Sequence, residues 1–272
     1  MADRSSEADE PLLVTDAQEI ARIEAENTLR QFDTAMQELR KWIGNPQYKL
    51  RSSLILKFNR VALERLSKYA GVFRPSDIKI TGSGHVPQPA DRVPELVENF
   101  CDYISENWNN KTAIHLAAYA LWRLNWIHPF VDGNGRTSRI VSYLILCAKL
   151  GYRLPGTTTI PEQIAQNKKP YYDALEVADS HEKIGKIDVS NLESLLDAHL
   201  ARQLVEVHNK ANGSELEIRS AVAKLDESET SNFEIVNPKR NSYKWLSHIE
   251  GHPVLYGGFF LLIATIATVL LT

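Results

Sequence analysis

Apolar positions recur at spacings of three and four along most of the chain, the period of a helix packed on one side. Phe32, Met36, Leu39 and Ile43, with Ala35 and Trp42 beside them, predict a helix over 16–43, and Gly44-Asn45-Pro46 ends it. Ile55, Phe58, Ala62, Leu66 and Tyr69 predict a second helix over 52–70, with Gly71 as its C-cap. Val93, Leu96, Val97, Phe100, Ile104 and Trp108 define a third over 92–108. Ala113, Leu116, Ala117, Ala120, Leu121 and Leu124 define a fourth over 112–126. After a short interruption, Ile140, Val141, Leu144, Ile145 and Ala148 continue as a fifth, closed by Gly151. Further helices are expected near 161–179 and 188–209.

Residues 73–90 break the period. Ile78 and Ile80 alternate with polar residues, Gly82-Ser83-Gly84 makes a turn, and His85-Val86 follows. This predicts a short β-hairpin over 78–86, stopped by Pro87 and Pro89. Two strands alone are marginal in water, so the hairpin should lean on helices. The fold class expected is all-α, a helical bundle with one hairpin. No strands alternate with helices, which excludes a Rossmann or P-loop design.

The remaining segments frame this domain. Residues 1–15 form a polar tail without the apolar run of a cleaved leader. The helical domain spans 16–210, with a core near 90–165. Residues 211–252 are polar and predict a linker, with a short helix near 215–225. Residues 253–272, "PVLYGGFFLLIATIATVLLT", carry no charge. At ~1.5 Å per residue the stretch spans roughly the hydrocarbon thickness of a bilayer. It predicts a single C-terminal transmembrane helix inserted in a lipid bilayer. Lys239, Arg240 and Lys244 precede it, which predicts a large domain on the cytoplasmic side.

Composition narrows little: 24% of the residues are charged and 43% hydrophobic, as in an ordinary globular protein. A net charge of −3 argues against a nucleic-acid partner. Cys101 and Cys147 sit in apolar helical patterns and predict buried thiols rather than a disulfide or zinc site.

The candidate chemistry lies in the interruption at 128–139, "HPFVDGNGRTSR". Pro129 takes His128 out of helical geometry, so the preceding helix ends there. Gly133, Asn134 and Gly135 open the next helix, whose first N–H groups lack carbonyl partners. Two glycines let a ligand approach the backbone closely, and the helix dipole adds positive potential, which together make an anion cradle. Arg136 and Arg139 share a face one turn further in and suit phosphate oxygens. Asp132 would repel phosphate unless a Mg²⁺ lay between them; the other reading of its position is a cap on the helix. His128 has the near-neutral pKa suited to taking a proton from an attacking hydroxyl. These residues describe phosphoryl or nucleotidyl transfer from a Mg²⁺-bound nucleotide to a hydroxyl, without choosing which phosphorus is attacked.

The stretch resembles the Fic motif, HPFx[DE]GNGRxxR, with every specified position filled. The resemblance extends over residues 16 to about 205. It implies a Fic-type fold and transfer of AMP from ATP to a protein hydroxyl, with Mg²⁺. It implies that His128 is the base, that Asp132 holds Mg²⁺, and that Gly133, Asn134 and Gly135 form the anion hole, with the Asn134 side chain on phosphate. Arg136 and Arg139 would bind the distal phosphates. Ile78, Ile80 and Val86 would belong to a flap that docks an unknown hydroxyl-bearing target protein by β-augmentation. A homodimer is compatible with such a domain.

Many Fic proteins restrain themselves with a helix bearing [ST]xxxE[GN], whose glutamate pairs with the second motif arginine. Here "RIEAEN" makes Glu26, followed by Asn27, the inhibitory candidate, although Arg22 stands where the pattern has Ser or Thr. Glu24 fits the pattern less well. Tyr171 and Tyr172 are candidates for lining a base pocket or for core packing. The alternatives to an adenylyltransferase are AMP removal by the same residues, or a non-catalytic scaffold that binds nucleotide or a partner. The intact His128 and Asp132 count against the scaffold. A DNA-binding regulator finds no basic recognition helix. Phosphotransfer of the Doc type is disfavoured by the GNGR loop.

Overall fold

The computed structural model describes residues 5–7, 13–45 and 47–226. The chain divides into two units, residues 1–217 and 218–272, and the site described below lies in the first.

Eight helices are described: α1 (Ala17–Ile43), α2 (Ser52–Leu63), α3 (Val93–Glu106), α4 (Ala113–Ile127), α5 (Asn134–Leu150), α6 (Ile160–Gln166), α7 (Lys168–Glu182) and α8 (Ser190–Asp226). The core is the α4–α5 pair. Leu116 to Trp122 are buried without a break in α4, as are Ile140 to Cys147 in α5. A helix apolar on all sides must be enclosed by others. Here α1 and α2 pack against α5, and α3 and α7 against α4.

Local chemistry sets the helix ends. Asp16 accepts from the Glu19 amide at 2.7 Å and starts α1. Thr112 accepts from the His115 amide at 3.1 Å and starts α4. Gly151, at φ 82°, ends α5 in the left-handed conformation that lacks penalty only for glycine. The second helix stops at Leu63, earlier than its apolar period suggests. Asn27 of α1 donates to the carbonyls of Ala62 and Glu64, at 3.3 and 2.8 Å, and so satisfies them from outside. Gln31 does the same for Phe58, at 3.0 Å. A buried side-chain amide replaces the next helical turn. The helix expected near 161–179 is two helices, because Asn167 sits at φ −138° and ψ 87° between them.

The hairpin expected at 78–86 is absent. Only β2 (Lys79–Thr81) forms a strand there, and its antiparallel partner is β1 (Ser5–Glu7), from the N-terminal segment. The register pairs Ser5 with Thr81, Ser6 with Ile80 and Glu7 with Lys79. His85 cannot lie back along β2, because its ring is bonded to the Trp126 carbonyl at 2.7 Å. The alternation at Ile78 and Ile80 marked a real strand, whose partner lay more than seventy residues away in sequence.

The last described helix, α8, runs through the point where the sequence placed a linker and takes in the short helix expected near 215–225. Among the described residues no helix is long and apolar enough to cross a membrane. The transmembrane helix expected at 253–272 and the linker beyond 226 lie outside the described residues.

Candidate active site

The 128–139 stretch joins α4 to α5 and lines the bottom of a cleft of about 170 Å³ that opens to solvent. The flap contributes Ile80, Ser83 and His85, β1 contributes Ser6, and the start of α7 contributes Lys168, Tyr171 and Tyr172.

His128 ends α4 in the left-handed region, at φ 52° and ψ 61°. For a non-glycine residue this costs about 1–2 kcal/mol. The conformation is held from outside. Arg74, fully buried, donates its Nε to the His128 carbonyl at 2.9 Å, and its backbone amide donates to the Pro129 carbonyl at 2.9 Å. Its other guanidinium nitrogens donate to the carbonyls of Ser76 and Gln88, on the chain leading into and out of the flap. One arginine therefore ties the 128–139 loop to the root of the flap.

The imidazole is buried, and its two nitrogens have distinct partners. Nδ1 lies 3.3 Å from the Asn125 carbonyl, which can only accept, so the network places the ring proton on Nδ1. Nε2 then carries the lone pair. It lies 2.9 Å from the Ser6 hydroxyl, which donates to it. Burial, reinforced by His85 and Arg74 nearby, pushes the His128 pKa down to about 3. The ring is neutral at ordinary pH, with an acceptor facing a hydroxyl.

The candidate phosphate cradle follows. Gly133 caps α5 at φ 75°, and no side chain caps this end. A Cβ at Gly133 would lie 3.0 Å from the Asn59 amide nitrogen and 3.3 Å from Leu63, so α2 passes too close for any larger residue. Asn59 is fully buried and holds the loop: it donates to the Asp132 carbonyl and accepts from the Gly71 amide, each at 2.9 Å. Asn134 is buried, and its amide brackets the loop from inside. It accepts from the Phe130 amide at 2.9 Å and donates to the Phe130 carbonyl at 2.8 Å. The resemblance assigned this side chain to phosphate; here it is engaged with the Phe130 backbone, while the first main-chain N–H groups of α5 have no helical carbonyl partners.

Arg136 donates to Asp132 at 2.8 Å and to Glu24 at 3.2 Å. Arg139 lines the same cleft. Asp132 has a largely exposed carboxylate, 61% accessible, beside the cradle. Among the described residues no three His, Cys, Asp or Glu side chains gather into a metal-binding cluster. A single hard carboxylate next to a phosphate cradle is the donor set that fits a Mg²⁺ arriving with its nucleotide.

The glutamate that reaches the motif is Glu24, not Glu26. Glu26 pairs with Arg22 and, at 3.6 Å, with Arg65. Two residues along a helix turn by about 200°, so the two glutamates cannot serve the same side. Asn27 and Gln31 face α2, and Glu24 shares their three-to-four spacing.

Of the flap residues, Ile78 is buried in the core, Val86 is exposed, and Ile80 alone of the three lines the cleft. Tyr171 is buried, with its hydroxyl 2.7 Å from the Asn125 amide nitrogen, while Tyr172 is half-buried at the cleft. Asn59 and Arg74 were not singled out by sequence reasoning. Arg74, preceding Pro75 between two helical segments, was the only visible signal.

Known proteins place these features. Residues 49–146, which include the whole motif, match the sequence model of the Fic/DOC family. The fold resembles a Fic domain-containing signalling protein of Bacteroides thetaiotaomicron, with TM-score 0.57 and 19% identity, covering 70% of this chain and 74% of that one. It also resembles Fic-1 of C. elegans, with TM-score 0.54 and 24% identity, covering 71% and 53%. The described unit therefore has the helical Fic fold.

Among curated relatives, the protein adenylyltransferase Fic of Aedes aegypti is 32% identical over 165 residues, 57% of this chain and 30% of the relative. That of Drosophila willistoni is 32% identical over 126 residues, 46% and 24%. The chain thus spans less than a third of the length of these relatives.

Proposed function

We propose that this protein is a protein adenylyltransferase, transferring AMP from Mg-ATP to a hydroxyl side chain of a target protein. The carrying observation is the orientation of His128: its proton is on Nδ1, and its Nε2 lone pair faces a hydroxyl beside the uncapped first turn of α5. The similarity to proteins named adenylyltransferases supports the same reading.

In this reading the amides of Gly135 and its neighbours hold phosphate oxygens, and Arg136 and Arg139 hold the distal phosphates. Asp132 would hold a Mg²⁺, which when bound would offset the charge of the phosphates. His128 takes the proton as the target oxygen attacks the α-phosphorus. The bond to the β-phosphate breaks, and pyrophosphate leaves. Arg136 must give up Glu24 to bind phosphate, so we read Glu24 as the restraining carboxylate in place of Glu26, acting on the first motif arginine rather than the second. A target strand would take the edge of β2 that β1 occupies here, in place of residues 5–7, with main-chain bonds fixing its register. We place a membrane anchor at 253–272 on the strength of its uncharged sequence, with the catalytic domain on the cytoplasmic side.

The test is incubation with Mg²⁺ and either α- or γ-labelled ATP. Label on protein from the α position alone supports AMP transfer. Label from γ means phosphoryl transfer and overturns it.

A further inference from the structure

The β2 edge is already occupied by the chain's own residues 5–7. Strand pairing opposite Ile80 fixes Ser6 in register, and its hydroxyl lies 2.9 Å from the base nitrogen of His128. A one-residue slip would present another face of the strand, so the register selects Ser6. A serine hydroxyl donating to a neutral imidazole acceptor is the pairing of a nucleophile with its base. Ser6 also lines the same cleft as Gly133, Gly135, Arg136 and Arg139, where nucleotide phosphates would sit.

We propose that Ser6 is a modification site of this chain: an acceptor of AMP delivered in cis by its own active site. This rests on the adenylyl-transfer reading above. In the step, Ser6 Oγ forms a bond to the α-phosphorus of ATP, and the bond from that phosphorus to the β-phosphate bridging oxygen breaks. Pyrophosphate leaves with the bonding pair, and the hydroxyl proton passes to Nε2 of His128. The product is a serine phosphodiester of AMP. Because donor site and acceptor belong to one chain, the reaction gains the effective concentration of a tethered substrate.

The experiment uses the full chain with Mg²⁺ and α-labelled ATP, alone and with cell extract as a source of other acceptors, in both the wild type and Glu24→Ala. Cleavage at arginine yields a peptide spanning residues 5–22, in which fragmentation locates the added group. The expected result is AMP on Ser6, lost in Ser6→Ala and restored on the hydroxyl in Ser6→Thr. Its fractional rate should be independent of protein concentration. AMP on Ser5 or elsewhere with Ser6 unmodified, or labelled extract proteins with an unlabelled chain, overturns the inference and leaves adenylyl transfer standing. A fractional rate that rises with protein concentration overturns transfer in cis. Absence of α-label from every protein overturns both readings.

Discussion

Glu24 of α1 lies 3.2 Å from the Nη1 of Arg136 in the first turn of α5, joining the N-terminal helix to the arginine that would receive phosphate. The same arginine holds Asp132 at 2.8 Å. Nucleotide binding would have to break one or both contacts.

Replacing Glu24 with Gly is expected to raise the rate of AMP transfer, and replacing Glu26 with Gly is not. Glu24 is about half exposed, so its ion pair is worth about 0–1 kcal/mol and the gain should not exceed about fivefold. The effect should shrink at high salt. Initial rates of α-label incorporation across ATP concentrations measure it. An equal or larger gain in Glu26→Gly would transfer the restraint to that residue.

Removing the Asn59 side chain is expected to loosen the catalytic loop from α2. Asn59→Ala leaves the Gly71 amide and the Asp132 carbonyl without their partners. Each unsatisfied buried group costs about 1–3 kcal/mol. Denaturant unfolding should show a loss of this size, with a fall in transfer activity, because the cradle begins at Gly133.

Substituting Gly133 with Ala should damage the same cradle for a different reason. The residue sits at φ 75° and its Cβ would meet Asn59 and Leu63. Backbone strain of about 1–2 kcal/mol is expected, together with weakened nucleotide binding. Nucleotide titration by calorimetry checks it. Gly135→Ala should be milder in strain, because the nearest atom is the mobile end of Arg139, at 3.1 Å.

The pH dependence follows from the burial of His128. Its pKa is pushed down to about 3, so the ring stays neutral as pH falls through the range where a free imidazole protonates. The unfolded chain binds a proton near its ordinary pKa, and the native chain does not. Stability from this group is therefore lost progressively as pH falls below that ordinary value. The imidazole resonances of His128 should show no titration around neutral pH, and the acid limb of the rate profile should not fall there either.

The helices were legible because their apolar period is strong and local. The motif was legible because its residues are contiguous and each is of a type suited to phosphate or to a hydroxyl proton. The flap was half legible. Ile78 and Ile80 marked a strand, but its partner is Ser5–Glu7, and pairing across so long a separation leaves no local trace. The choice of Glu26 over Glu24 followed a sequence pattern, whereas the orientation of α1 is set by Asn27 and Gln31 reaching backbone carbonyls of α2. Arg74 and Asn59 escaped notice because their partners are main-chain atoms, whose positions depend on the fold rather than on neighbouring residue types.

The most direct test of the central claim is AMP transfer by His128→Ala, with nucleotide binding measured on the same sample. The account predicts that binding survives, since the cradle and arginines are untouched, while the rate of α-label transfer falls by about 10²–10⁴, the usual worth of a positioned general base. Undiminished transfer in that variant would show that His128 does not take the proton, and would contradict the account.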